Sequence, residues 1–452
     1  MVIISREKVR PSSPTPQHLQ TYKLPMLDQI SPSALLNYIL YFPCTIEITD
    51  PESFSTQTAE QLKHSLSLIL TRFYPLAGRV NIDGQSIICN DQGVPFLVAK
   101  FPGQKLSDHL LPNPNLFSRR RLIPCDADQV SPGSSVALIQ ANYFDCGGVA
   151  IGVIFWHKVL DGISICNFLN SWAAATTRGL SNDAAWPNYI AQYLFPHRED
   201  PPGGLGFLTI TKNGKSVRRR YVFDALSISE LKAKSSVLVQ RPTRVEVVSA
   251  LIWKCFMAAS LANNCSASVV SHVVNLRRRA EPPFPSECFG NFIGFTAATN
   301  ENNIEKDHGL GHLVRKIRDG ISKIDGDYIN RMYGDEGLSG YRQNLRLTWS
   351  DVPEGADVLK ITSWCGFGLY TSADFGWGKP VWLASCDSGS PFSNVVWLMD
   401  TRDGDGIEAW VTLDENYMSV FDDVEDLRAL ACINPCPLDK IIMAPIRYKG
   451  FP

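Results

Sequence analysis

Residues 149–172 read VAIGVIFWHKVLDGISICNFLNSW, and two periodicities meet in them. The first eight residues are almost continuously apolar and rich in β-branched and aromatic types, the pattern of a strand buried on both faces. After Asp161 and Gly162, the residues Ile165, Phe168, Leu169 and Trp172 recur at i, i+3, i+4 and i+7, one face of a helix. His157 therefore stands at a strand end facing a helix start, and in open α/β sheets such ends are favoured places for ligands. Gly162 lets the chain turn sharply, and Asp161 can cap the helix or form an ion pair. An imidazole there can serve as a general base, because it titrates near neutral pH. It can equally be a polar residue where a buried strand surfaces, and the pattern alone leaves both readings open.

The rest of the chain narrows the choice. With 452 residues it exceeds the size of one hydrophobic core, so two domains are expected. Lys and Arg number 43 against 45 Asp and Glu, a net charge of −2. That balance gives no long-range field for a polyanion, so neither nucleic acid nor an anionic membrane is expected as a partner. The 12 cysteines are scattered, and the opening MVIISREKVRPSSPTPQ lacks the apolar core of a signal peptide. Free thiols and a cytoplasmic location follow as expectations. The longest apolar run, GGVAIGVIFW, falls short of the roughly eighteen residues that cross a bilayer. CINPC has no matching second cysteine pair and HGLGH lacks a glutamate, so no metal site is expected.

The segment 196–215, PHREDPPGGLGFLTITKNGK, has the composition of a linker between two apolar-patterned halves. It separates an N-terminal domain, 1–195, from a C-terminal domain, 216–452. Apolar spacing predicts helices over 59–73 and 243–262, the second with Thr243 and Glu246 as a capping box. NVVWLMD and GIEAWVTL read as strands, and RPSSPTP as an extended arm. Helices and strands mix without a regular βαβ rhythm, which predicts an α/β fold with mixed sheets. In ISPSALLNYILYF, Asn37 and Tyr38 are candidates to hydrogen-bond a polar substrate.

Two further stretches draw attention. In TSADFGWGKP, Asp374 precedes two glycines flanking Trp377, the pattern of a tight loop whose aspartate accepts from exposed amides. In VVNLRRRAEPPFPSECFGNFIG, a basic cluster leaves a strand before a proline-rich loop. One of its arginines can neutralise a buried carboxylate or a phosphate.

HKVLDG, then NLR with FGN, then DFGWGKP, spaced by about 120 and about 100 residues, resemble the plant BAHD family of acyl-CoA-dependent acyltransferases, most of all its alkaloid O-acetyltransferase-like subgroup. SSPTPQHLQTYKLPMLDQ, FYPLAGR, CNDQGVPF and FDCGG extend the likeness over almost the whole chain. The resemblance implies a chloramphenicol-acetyltransferase-like pair of domains with a channel at their interface, the first domain completed by about 360–385. It implies that His157 is the general base, with acyl-CoA entering by one mouth and a small hydroxylated acceptor by the other. Asp161 is implied to pair with Arg277. Asp374 is implied beside the histidine at the active site, or as loop support with Gly376 and Trp377. Thr362 and Trp364 are implied on the acceptor side, and Thr243 and Ser249 as CoA contacts. A monomer is expected. Departures include Trp156 and Leu160 around the histidine, Gly366 where relatives often carry arginine, and a long tail, CINPCPLDKIIMAPIRYKGFP.

The expected reaction is transfer of an acyl group, acetyl by the subgroup likeness, to a hydroxyl of a plant specialised metabolite such as an alkaloid or terpenoid. The thioester is already activated, and the sequence has no Gly-x-Ser-x-Gly elbow for an acyl-enzyme. Direct transfer with acyl-CoA as co-substrate and no bound cofactor is therefore expected. The alternatives are N-acylation, a longer or aromatic acyl donor, a thioesterase, and a non-catalytic ligand-binding relative.

Overall fold

The computed structural model describes residues 1–44, 50–110, 119–124, 130–179, 186–200, 215–301, 309–385 and 394–438. The strand read first, Val149–Trp156, is buried at every position. It lies inside a six-stranded mixed sheet in the order Val2–Val9, Val94–Phe101, Ala137–Phe144, Val149–Trp156, Leu35–Phe42, Trp382–Ser385. Burial on both faces is why its sequence runs apolar without alternation.

The helix that follows is Gly162–Arg178, with Ile165, Phe168, Leu169 and Trp172 all buried. It packs on helix Pro51–Leu70, and the Trp172 indole donates to the Leu62 carbonyl at 3.1 Å and the Ser65 hydroxyl at 3.1 Å. Helix Pro51–Leu70 starts eight residues before the apolar spacing does. Asp50 caps it by accepting from the Glu52 and Ser53 amides, and Pro51 occupies its first position.

The second sheet carries strands Ile293–Phe295, Ala267–Asn275, Asp357–Ser363, Val395–Asp400, Ile407–Asp414, Ser216–Phe223 and Cys432–Ile433 in that order, with Ala298–Glu301 also paired to Ala267–Asn275. Its core helix is Arg244–Ala262, opened by the Thr243 and Glu246 capping box. That helix is long and apolar enough to cross a membrane, but its apolar residues fill a protein core around Trp253 and Phe256.

Within 360–385, residues up to Ser363 belong to the second sheet. Leu369–Ser372 then packs on helix Gly162–Arg178, and Trp382–Ser385 joins the first sheet, pairing antiparallel with Leu35–Phe42 so that Ser385 faces Tyr38. This crossover ties the two sheet-rich domains together beside His157. The 196–215 segment falls mostly outside the described residues, as does 439–452 of the tail; the chain resumes a strand at Ser216. Val2–Val9 forms an edge strand that the apolar pattern did not signal, because most of its side chains face solvent.

Candidate active site

His157 follows the last residue of its strand, and its backbone is held from two sides. Its amide donates to the Ala34 carbonyl at 2.9 Å, and its carbonyl accepts from the Asn291 side-chain amide at 2.9 Å. The ring's Nδ1 is enclosed and makes no regular hydrogen bond, which leaves Nε2 as the nitrogen open to a cavity. Burial lowers the imidazole pKa from its ordinary 6.5, opposed by the local backbone, the Asp161 carboxylate and Asn291. A neutral ring is a competent proton acceptor at pH 7.

Asp161 borders the cavity as well, but its carboxylate is taken up by protein donors. Its carboxylate takes a bidentate pair from Arg277, at 2.6 and 3.1 Å, plus the amides of Ser164 at 2.9 Å and Phe292 at 3.1 Å. It thus caps the helix and forms the ion pair at once. Arg277 is 1 % exposed and also donates to the carbonyls of Cys288 at 2.7 Å and Gly290 at 3.2 Å. Of the three adjacent arginines, Arg278 is exposed and Arg279 donates to the carbonyls of Ile321 and Ile324, so Arg277 alone serves the site. Gly162 is required for space: a Cβ there would sit 2.4 Å from Trp364 Nε1.

Two residues given no role in the sequence reading complete the support. The Asp28 Oδ1 accepts from the Asn291 backbone amide at 2.6 Å and its side-chain amide at 2.9 Å, and the same side chain holds the His157 carbonyl. Burial pushes the Asp28 carboxyl up to about 8, opposed by those two bonds. Gly290, at φ +118°, lets the chain pass against Asp28. The FGN segment is therefore a clamp on the histidine backbone. Asn291→Ala is expected to lower kcat about tenfold or more through misplacement of the ring, with a smaller change in the KM for acyl-CoA. Steady-state kinetics check this, and an unchanged kcat would remove Asn291 from the positioning set.

The cavity beside His157 has aromatic walls. Tyr38 packs against Trp364 at 4.7 Å and Trp397 at 5.4 Å, and Trp397 meets Trp364 at 5.2 Å. Asn37 and Thr362 also line it, as do Lys360 and Arg218, which sequence reasoning did not single out. A smaller hollow continues past Trp364 along Phe367, Met399, Thr401 and Arg402.

Three of the expected site residues lie elsewhere. Asp374 does not line the cavity; its Oδ1 accepts the Gly376 and Gly378 amides, at 2.9 and 3.1 Å, in a loop where both glycines have φ above +100°. Its place beside the histidine as a catalytic group is thus corrected to loop support. Phe375 in that loop is buried 4.9 Å from Trp172 on the helix that Asp161 caps, and Trp377 stacks on Phe375. Thr243 has its hydroxyl engaged by the Glu246 amide, and Ser249 is buried in the core helix. Neither reaches the cavity, so the geometry does not bring the two expected CoA contacts to the reacting centre.

Comparison with known proteins identifies the family and the fold. The model of the Transferase family matches residues 1–427. Epi-neemfruitin B 7-O-acetyltransferase of Melia azedarach is 38 % identical, over 96 % of this chain and 99 % of the relative. Stemmadenine O-acetyltransferase of Catharanthus roseus is 36 % identical, over 93 % and 96 %. The crystal structure of vinorine synthase superposes with a TM-score of 0.79 at 33 % identity, covering 95 % of this chain and 98 % of that one. The chain belongs to the BAHD family of acyl-CoA-dependent acyltransferases and is an O-acyltransferase.

Proposed function

We propose that the protein transfers the acetyl group of acetyl-CoA to a hydroxyl of a polycyclic plant metabolite, a terpenoid or an alkaloid, with His157 as the base. The observation that carries this reading is the half-buried imidazole, its Nδ1 enclosed, that lines an aromatic cavity. The relatives' named acetyltransferase activities support acetyl as the group and an oxygenated polycycle as the acceptor.

In this mechanism the His157 Nε2 takes the acceptor's hydroxyl proton as the oxygen attacks the thioester carbonyl. The tetrahedral oxyanion is met by donors at Thr362 or Trp364. Collapse breaks the C–S bond, and the imidazolium returns the proton to the departing thiolate. The hollow past Trp364, with Arg402 at its rim, suits the CoA arm. Asp161, Arg277, Asn291 and Asp28 touch none of the reacting atoms and act by holding the loop. We place the reaction in the cytoplasm, on the scattered cysteines of the sequence, and take the working unit as a monomer.

Mass spectrometry of purified protein with acetyl-CoA and a panel of hydroxylated terpenoids and alkaloids tests the reading. An acetyl increment on one acceptor is the expected result; no increment with any member would overturn it. The pH profile adds a second check. Because burial disfavours the imidazolium, the base is neutral above its lowered pKa and is lost as pH falls through it. The acid limb of kcat/KM is therefore expected below the ordinary histidine value of 6.5. A limb centred well above that value would contradict the environment described for His157.

A further inference from the structure

Residues Cys432–Leu438 lie beyond the stretch matched to the family, and they run from one domain to the other. Cys432–Ile433 adds a short last strand to the second sheet, antiparallel to Ser216–Phe223. Asn434 then turns the chain at φ +48°, a left-handed conformation that Asn and Gly adopt with little strain. From the turn the chain reaches the first domain. The Cys436 thiol donates to the Leu110 carbonyl at 3.4 Å, and Leu438 packs on the core built around the first sheet.

The turn grips Arg220 by three bonds. The Asn434 amide donates to the Arg220 carbonyl at 2.7 Å, the Arg220 amide donates to the Asn434 side-chain oxygen at 2.9 Å, and the guanidinium donates to the Pro435 carbonyl. Arg220 is 5 % exposed and also pairs with the buried Glu408 at 3.1 Å, which in turn accepts from the Trp382 indole at 3.3 Å. Its guanidinium carbon lies 5.1 Å from the centre of the Trp382 ring and 6.0 Å from that of Trp410, and these two indoles stack at 5.7 Å. Trp382 belongs to the first sheet and Trp410 to the second, so the arginine sits over the seam between them. Thr362, Trp397, Trp410 and Arg220 are successive cross-strand partners and therefore share one face of the second sheet. The first three line the cavity beside His157, whereas Arg220 stands behind Trp410 and does not.

We propose that the Asn434–Cys436 turn is a clasp between the domains, and that Arg220 is a positioning residue through which it fixes Trp410 as the outer wall of the acceptor cavity. This rests on the acceptor cavity of the proposed reaction and adds a determinant of acceptor fit that lies outside it. A planar cation stacked on indoles and held by Glu408 and by the turn has one arrangement. Loosening the turn lets the guanidinium and the two indoles shift together, and a rigid polycycle then meets a wall that gives. The hollow beneath the turn meets the hollow assigned to the CoA arm at Thr401 and Arg402. The acyl donor is thus the rival beneficiary of the clasp, and the two KM values separate the cases.

Two variants of the full chain test this. Asn434→Gly keeps the left-handed turn and deletes the acceptor of the Arg220 amide, whereas Asn434→Asp keeps both. With dehydroepiandrosterone as the polycyclic probe alcohol, Asn434→Gly is expected to raise the steroid KM about three- to tenfold, the worth of one hydrogen bond, with kcat and the acetyl-CoA KM within about twofold of wild type. Asn434→Asp is expected to restore the steroid KM. Hydrogen exchange of the same proteins, followed by mass spectrometry, is expected to quicken in Asn434→Gly at Trp382–Ser385 and Ile407–Asp414 as well as in the turn, but not in helix Arg244–Ala262. A merely structural role would lower kcat and raise both KM values together.

Faster exchange confined to the turn, an unchanged steroid KM, or a rise in the acetyl-CoA KM in place of the steroid's would each overturn the proposal. If wild type esterifies another alcohol of the metabolite panel and not the steroid, the same KM split is expected with that alcohol, and its absence overturns the proposal equally. Ester from no alcohol at all sinks the acetyl-transfer reading, and with it the role of Trp410 as an acceptor wall; the exchange pattern then upholds or removes the clasp itself.

Discussion

His157→Ala is expected to fold, melting close to wild type, and to lose about a hundred- to ten-thousandfold in kcat, the usual worth of a positioned base. The fold survives because the histidine's structural bonds are made by its backbone, to Ala34 and Asn291, and not by its ring. The ring's enclosed Nδ1 has no regular partner to lose. The catalytic loss follows because no other described group lining the cavity offers a neutral nitrogen or free carboxylate at that position; Asp161 is committed to Arg277 and two amides. A folded His157→Ala variant with wild-type turnover would remove the base assignment, and circular dichroism on the same sample secures the comparison.

Asp161→Asn should fail in a different way. The substitution keeps the side chain's shape but leaves the Arg277 guanidinium, 1 % exposed, without a counter-charge. Breaking a buried pair on one side costs about 3–5 kcal/mol, because the remaining charge is desolvated and unpaired. The same carboxylate also accepts the Ser164 and Phe292 amides, so the helix start and the FGN clamp loosen together. Denaturant unfolding should show a clear fall in midpoint along with lost activity, whereas His157→Ala should show the activity loss alone. An unchanged midpoint in Asp161→Asn would mean that the pair contributes little to the fold.

The sequence made some of this visible because the signals are local. The helix Gly162–Arg178 announces itself by apolar residues three and four apart, and the Thr243–Glu246 capping box lies within four consecutive residues. Motif order carried the family resemblance and, through it, the pairing of Asp161 with Arg277. What stayed hidden depends on contacts distant in the chain. Asp28 and Asn291 are 263 residues apart, and nothing in MLDQI marks its aspartate as the partner of a loop asparagine. Lys360 and Arg218 look like ordinary polar residues on half-buried strands; only strand order places both on one row of one cavity. Asp374 misled because its motif sits beside active-site motifs in the resemblance, while its carboxylate is spent on its own loop. The start of helix Pro51–Leu70 was hidden by its polar first turns, although Asp50 and Pro51 were a readable cap.

Direct transfer, with His157 acting on the acceptor and not on the enzyme's own acyl intermediate, is tested most directly by mixing the protein with acetyl-CoA in the presence and absence of its acceptor. CoA release and the intact mass of the chain are followed together. The expected result is release only when the acceptor is present, mole for mole with ester, and no acetyl group on the protein at any time. Rapid CoA release without acceptor, or an acetylated chain that forms and decays at the rate of turnover, would contradict it.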